Sequence, residues 1–184
     1  MPRLFTGLEL PGTIAGQIAL ARGGVHGARW MEPADYHITL RFVGDVDLGV
    51  AHDIAETLDE IRRPPVTVRF DGLSWFGGDR PRAIVVRVGP DPGLVELQAE
   101  QERRMRRIGL APETRKFTPH VTLARLRRVG AHAVADYLAS RGALALEGFT
   151  AARFVLFSSR GSVGGGPYVV EAAYPLGSGA GFCL

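Results

Sequence analysis

Apolar residues recur along the chain in two rhythms, every second position and every third or fourth, and the switches between them mark its elements. Leu4 to Leu10 reads as a first strand, stopped by Pro11-Gly12. Ile14, Ile18 and Ala21 follow at helical spacing and end at Gly23-Gly24. A brief extended piece, Arg29-Trp30-Met31, precedes the loop Glu32 to Asp35 and a strong strand, Tyr36 to Val43, closing at Gly44. Asp47 is placed to cap a helix with Val50, Ile54, Leu58 and Ile61 on one face, and Pro64-Pro65 terminates it.

Val66 to Phe70 and Ala83 to Val88 predict two further strands, connected by the aromatic segment Leu73 to Phe76 and the turn Gly77-Gly78-Asp79. Asp91-Pro92 opens a helix with Leu94, Leu97, Met105 and Ile108 inward. Its other side carries Arg103, Arg104, Arg106 and Arg107 and reads as a solvated face. Thr118-Pro119 leads into a strand from His120 to Leu126, since proline suits the first residue of a strand. Ala131, Val134, Tyr137 and Leu138 predict a fourth helix. Leu144 to Leu146, Arg153 to Phe157 and Tyr168 to Tyr174 predict closing strands, the last two flanking a glycine-rich turn, Gly161 to Gly166. Helices set against mostly antiparallel sheets make an α+β fold. We expect one domain over residues 1–176 and a flexible tail over 177–184.

Composition narrows the class. With 184 residues, 46% hydrophobic and 22% charged, the chain can bury a full core. The formal charge of +3 suits an anionic ligand but is far from a generic nucleic-acid coat. Lys116 is the only lysine, so phosphate contacts would fall to arginine, whose planar fork favours bidentate binding. Cys183 is the single cysteine, which excludes an intrachain disulfide and a cysteine metal cluster. No stretch has the length of a membrane span or the form of a signal peptide, so a cytoplasmic monomer is expected.

One phrase occurs twice, His37-Ile38-Thr39-Leu40 and His120-Val121-Thr122-Leu123, 83 positions apart (37 to 120) in a chain with five histidines. Side chains two apart in a strand share a face. Each copy therefore offers an imidazole beside a hydroxyl, with apolar residues behind. Two sheets facing each other would leave a cleft lined by both copies. Phosphodiester hydrolysis needs a base for water and an acid for the leaving oxygen, and imidazoles titrate in the right range. Threonine hydroxyls can hold the non-bridging oxygens. Zinc would require further ligands, and neither copy has an acidic or cysteine neighbour at ligand spacing, so no metal and no cofactor are expected. Arg125 lies on the opposite face of an ideal strand and reaches the cleft only if the strand ends or bulges. The 161–166 turn is either a plain hairpin connection or a rim that brings Tyr168 to the substrate.

With these motifs in place, the sequence resembles the two-histidine phosphoesterase superfamily and, within it, the RNA 2′,3′-cyclic phosphodiesterases, also called 2′-5′ RNA ligase-like proteins. The likeness runs from Arg3-Leu4-Phe5 through Arg29-Trp30, Tyr36 to Gly44, Gly72 to Phe76, Phe117 to Arg125 and Phe157-Ser158-Ser159 to Tyr168. The resemblance implies a bilobal, pseudo-two-fold fold with two antiparallel sheets around a central cleft and helices outside. It implies metal-independent chemistry by His37, Thr39, His120 and Thr122, on RNA or an oligonucleotide ending in a 2′,3′-cyclic phosphate. It places His37 as general acid and His120 as general base, and sets Arg125 against phosphate. Phe42 and Phe117 offer ring faces to a base, or else belong to the core. A non-catalytic RNA-binding protein, or a 2′-5′ ligase or phosphodiesterase acting on small nucleotides, would use the same cleft.

Overall fold

The computed structural model describes residues 1–141, 144–159 and 166–177. Strand β1 (Arg3–Glu9), helix α1 (Gly12–Ala19) and the short β2 (Ala28–Trp30) open the chain. A 3-10 turn over Pro33–Asp35 delivers it into β3 (His37–Asp45), followed by α2 (Leu48–Asp59). The chain continues through β4 (Val66–Val68), β5 (Phe70–Phe76), β6 (Ala83–Val88), α3 (Pro92–Arg107) and β7 (His120–Leu126). It closes with α4 (Ala131–Arg141), β8 (Phe149–Ala151), β9 (Arg153–Ser159) and β10 (Tyr168–Pro175).

The α+β class and the antiparallel pairing are as the patterning predicts. The main sheet runs β10-β9-β1-β3-β7-β6-β5, with β2 paired to β7, and β4 and β8 pair separately. Its two halves are not separate. They meet through one residue pair, Ile38 with Val121, at the centre of the two motifs. Both residues are fully buried, so the apolar members of each motif knit the halves together and leave the polar members for the other face. Helices cover the core with the predicted residues: Ile14 and Ile18, Ile54 and Leu58, Leu94, Leu97 and Met105, Val134 and Tyr137. Asp47 and Asp91 cap α2 and α3 by accepting from the Val50 and Gly93 N–H groups.

Two expected elements differ. The segment Leu73 to Phe76 is not a connection but the end of β5, and the strand expected over Val66 to Phe70 is divided between β4 and β5. The chain passes from one sheet to the other at Arg69, and a register shift between Phe70 and Leu73, with Gly72 at φ 76°, then bulges β5 against β6. Leu144 and Leu146 pack on the core from an irregular segment, and the strand forms at Phe149 instead. Residues 161–165 of the glycine-rich turn and 178–184 of the tail, with Cys183, lie outside the described residues. Among the described residues no helix is long and apolar enough to cross a membrane.

Candidate active site

The site grows from the backbone carbonyl two residues before each motif histidine. The His37 Nδ1–H donates to the Asp35 carbonyl at 2.8 Å, and the His120 Nδ1–H to the Thr118 carbonyl at 2.7 Å. A carbonyl only accepts, so each Nδ1 must carry the proton, and each neutral ring keeps its lone pair on Nε2. At His37 that lone pair accepts from the Thr39 hydroxyl at 3.0 Å. His120 Nε2 has no such bond among the described residues.

The surroundings of the two rings differ. His37 packs against Phe5 and Phe157, with ring centroids 4.9 and 5.4 Å away, and meets Tyr168 edge-on at 5.0 Å. Gly7 permits this: a side chain there would press on the Ile38 carbonyl and the Phe157 ring. Burial among these rings pushes the His37 pKa down to about 4; its bond to Asp35 opposes the shift, and the charge of His120 reinforces it. Among the described residues Phe76 is the one aromatic ring that meets His120, edge-on at 4.7 Å. Burial lowers its pKa too, with the Thr118 carbonyl opposing and Arg125 adding to the effect.

Each motif strand carries a β-bulge, and the bulges decide what else faces the cleft. Opposite β6, Thr122 pairs with Val85 and Ala124 with Ile84, so Leu123 is the extra residue. The alternation flips there, and Arg125 emerges exposed on the face of His120 and Thr122. In β3, Gly7 pairs with Thr39 and Thr6 with Arg41, so Leu40 is the extra residue. Phe42 then takes the position equivalent to Arg125, at 38% exposure and under the Arg3 guanidinium. Arg41 turns inward, where it donates to the Glu102 carboxylate and the Ala111 carbonyl.

Of the residues expected at the site, His37, Thr39, His120, Thr122, Arg125 and Phe42 share this face, and Tyr168 borders it. Phe117 instead packs against the core as a half-buried residue. Phe5, Phe76, Phe157 and Asp35 were not expected. The Asp35 carboxylate accepts from the Tyr168 N–H at 3.1 Å while its own carbonyl holds His37. One residue thereby orients both the imidazole and the tyrosine beside it. A cavity of about 420 Å³ opens along this side of His37, between Asp35, Tyr36, Phe157 and Tyr168. Among the described residues no three His, Cys, Asp or Glu groups stand together to hold a metal ion.

Two imidazoles presenting Nε2, two hydroxyls and a guanidinium on one open sheet face make up the donor set that a phosphoester requires. The chain belongs to the LigT-like phosphoesterases, whose family pattern matches residues 8–85 and 88–168. It is 42% identical over 99 residues to the RNA 2′,3′-cyclic phosphodiesterase of Aeropyrum pernix, covering 53% of this chain and only 56% of that one. It is 31% identical over 130 residues to the Bacillus subtilis protein of the same name, covering 67% and 71%. Escherichia coli LigT complexed with 3′-AMP superposes with a TM-score of 0.72 at 25% identity, over 96% of this chain and 99% of that one.

Proposed function

We propose that this protein hydrolyses 2′,3′-cyclic phosphate ends of RNA to 2′-phosphomonoesters, by acid–base catalysis between two histidines and without a metal. The observation that carries this is the matched pair of Nδ1–H bonds to backbone carbonyls, which aims both Nε2 atoms away from their strands on one face. Relatives named RNA 2′,3′-cyclic phosphodiesterase and a LigT structure holding 3′-AMP support the substrate class.

His120 Nε2 takes a proton from water, and the oxygen attacks phosphorus as the bond to the 3′ oxygen breaks. That oxygen takes its proton from His37 Nε2–H. The roles follow the free lone pair of His120 and the occupied one of His37. His37 must be protonated to act, although burial holds it at about 4 in the free protein. The bound phosphate offsets that burial, because a negative charge beside the ring favours imidazolium. Once Nε2 carries a proton, the Thr39 hydroxyl is released toward a non-bridging oxygen. Thr122 and Arg125 serve the same charge. Phe42 and Tyr168 offer ring faces to the terminal nucleoside, whereas the packing of Phe117 leaves it to the core.

Phosphorus NMR of the product from a cyclic-phosphate oligoribonucleotide tests the assignment. A 2′-phosphate is expected. A 3′-phosphate product overturns the placement of the 3′ oxygen beside His37, and no turnover overturns the hydrolase reading.

A further inference from the structure

Beyond Arg125 the chain builds a second cationic feature. A cavity of about 620 Å³ lies between the turn after β5 and the segment after β7, lined by Arg80, Arg82, Arg127 and Arg128 with one acidic residue, Asp79. All four arginines are exposed and none pairs with a carboxylate among the described residues. Elsewhere, Arg22, Arg41, Arg63, Arg104, Arg115 and Arg153 each pair with a glutamate. Unneutralised guanidiniums gathered around a hollow repel one another unless an anion joins them.

The cavity adjoins the end of β7 that carries Arg125. The Leu126 N–H donates to the Arg82 carbonyl at 2.8 Å, directly after Arg125. Arg29 stands opposite Arg125 on β2, on the same face, exposed and with no carboxylate partner among the described residues. Arg128 holds φ 58°, in the left-handed region that favours glycine, so the segment keeps a strained turn at the cavity wall. The other half of the cleft face is aromatic, with Phe5, Phe42, Phe157 and Tyr168. A strand that runs from a base on the exposed Phe42 ring past Arg125 meets the arginine half.

We propose that the Arg80–Arg82–Arg127–Arg128 cavity is a subsite for backbone phosphates of single-stranded RNA upstream of the cyclic end. The inference rests on the cyclic-phosphodiesterase reading and makes it more specific: the substrate is an oligonucleotide rather than a mononucleotide.

The test compares wild type with Arg82→Gln/Arg127→Gln. Binding of a fluorescent oligoribonucleotide is measured by anisotropy across salt concentrations. Hydrolysis is measured on a cyclic-phosphate oligoribonucleotide and on 2′,3′-cyclic CMP. Losing two phosphate contacts should weaken binding about tenfold at low salt and flatten the slope of log affinity against log salt by about 1.4. The ratio of kcat/KM on the oligonucleotide to that on the mononucleotide should fall by a similar factor. Arg82→Lys/Arg127→Lys should restore the salt slope, and Arg103→Gln on α3 should leave both readouts at wild type. Wild-type binding and slope in the glutamine variant overturn the subsite while leaving the hydrolase reading intact. Arginine-dependent binding by a wild type that hydrolyses neither substrate sinks the hydrolase reading and keeps the subsite.

Discussion

Replacing His37 with glutamine removes an imidazole that folding holds in its neutral form. In the unfolded chain a histidine titrates near 6.5; here burial among Phe5, Phe157 and Tyr168 depresses it to about 4. Between those values the unfolded state binds more protons than the folded one, so stability present above pH 6.5 is lost as pH falls toward 4. The size follows from the two titrations: about 2 kcal/mol is lost by pH 5 and about 3 kcal/mol by pH 4, relative to neutral pH. Carboxylates titrate over the same range, but wild type and His37→Gln share them. The difference between the two proteins therefore isolates the ring. Urea unfolding of both at pH 7, 5 and 4 gives that difference, provided the slopes with denaturant agree. The advantage of wild type over the variant should shrink by the stated amounts. A difference that stays constant with pH would show that His37 is not desolvated, and would remove the reason for its needing the substrate's charge.

His37→Ala and His120→Ala should each lower turnover by about a hundredfold or more with the fold retained by circular dichroism. A substrate whose 3′ leaving group needs no protonation should rescue the first variant and not the second; equal rescue would reverse or merge the roles. Turnover should survive EDTA treatment, and loss that zinc or manganese restores would make the histidines ligands. Gly166→Ala should lower both the melting temperature and turnover, because a side chain there overlaps the Asp35 carboxylate that accepts from Tyr168; an unaffected enzyme would show that this tie does not orient His37.

Much of the site was legible because it was written twice. A repeated imidazole and hydroxyl in an apolar frame identifies a face without knowledge of the fold. What lay past the fourth residue of each motif was not legible, since a strict period of two carries Arg125 and Phe42 to the wrong side. Only the register against β6 and β1 reveals Leu123 and Leu40 as extra residues. Arg41 shows the same limit from the opposite side, a charge that alternation would expose and that the bulge buries. The aromatic wall of His37 was hidden for another reason. Phe5 and Phe157 come from opposite ends of the chain and become neighbours only when β1 pairs with β9. Phe117 stays open in the sequence, as a ring face for a base or a core residue, because proximity to a motif histidine says little about where a ring packs; in the fold it packs half-buried against the core.

The single pair that joins the half-sheets, Ile38 with Val121, has a mechanical meaning. In each motif it is the residue between the histidine and the threonine, so the bridge lies close to both imidazoles. No further ladder pairs tie β3 to β7 among the described residues. Behind the motifs the halves are also held together, by the pairing of β4 with β8 and by Gln101 and Glu102 of α3, which bond Thr6 on β1 and Arg41 on β3. The two imidazoles thus take their relative places from one apolar pair between them and the packing beneath it, so a change of shape at Ile38 or Val121 reaches both rings at once.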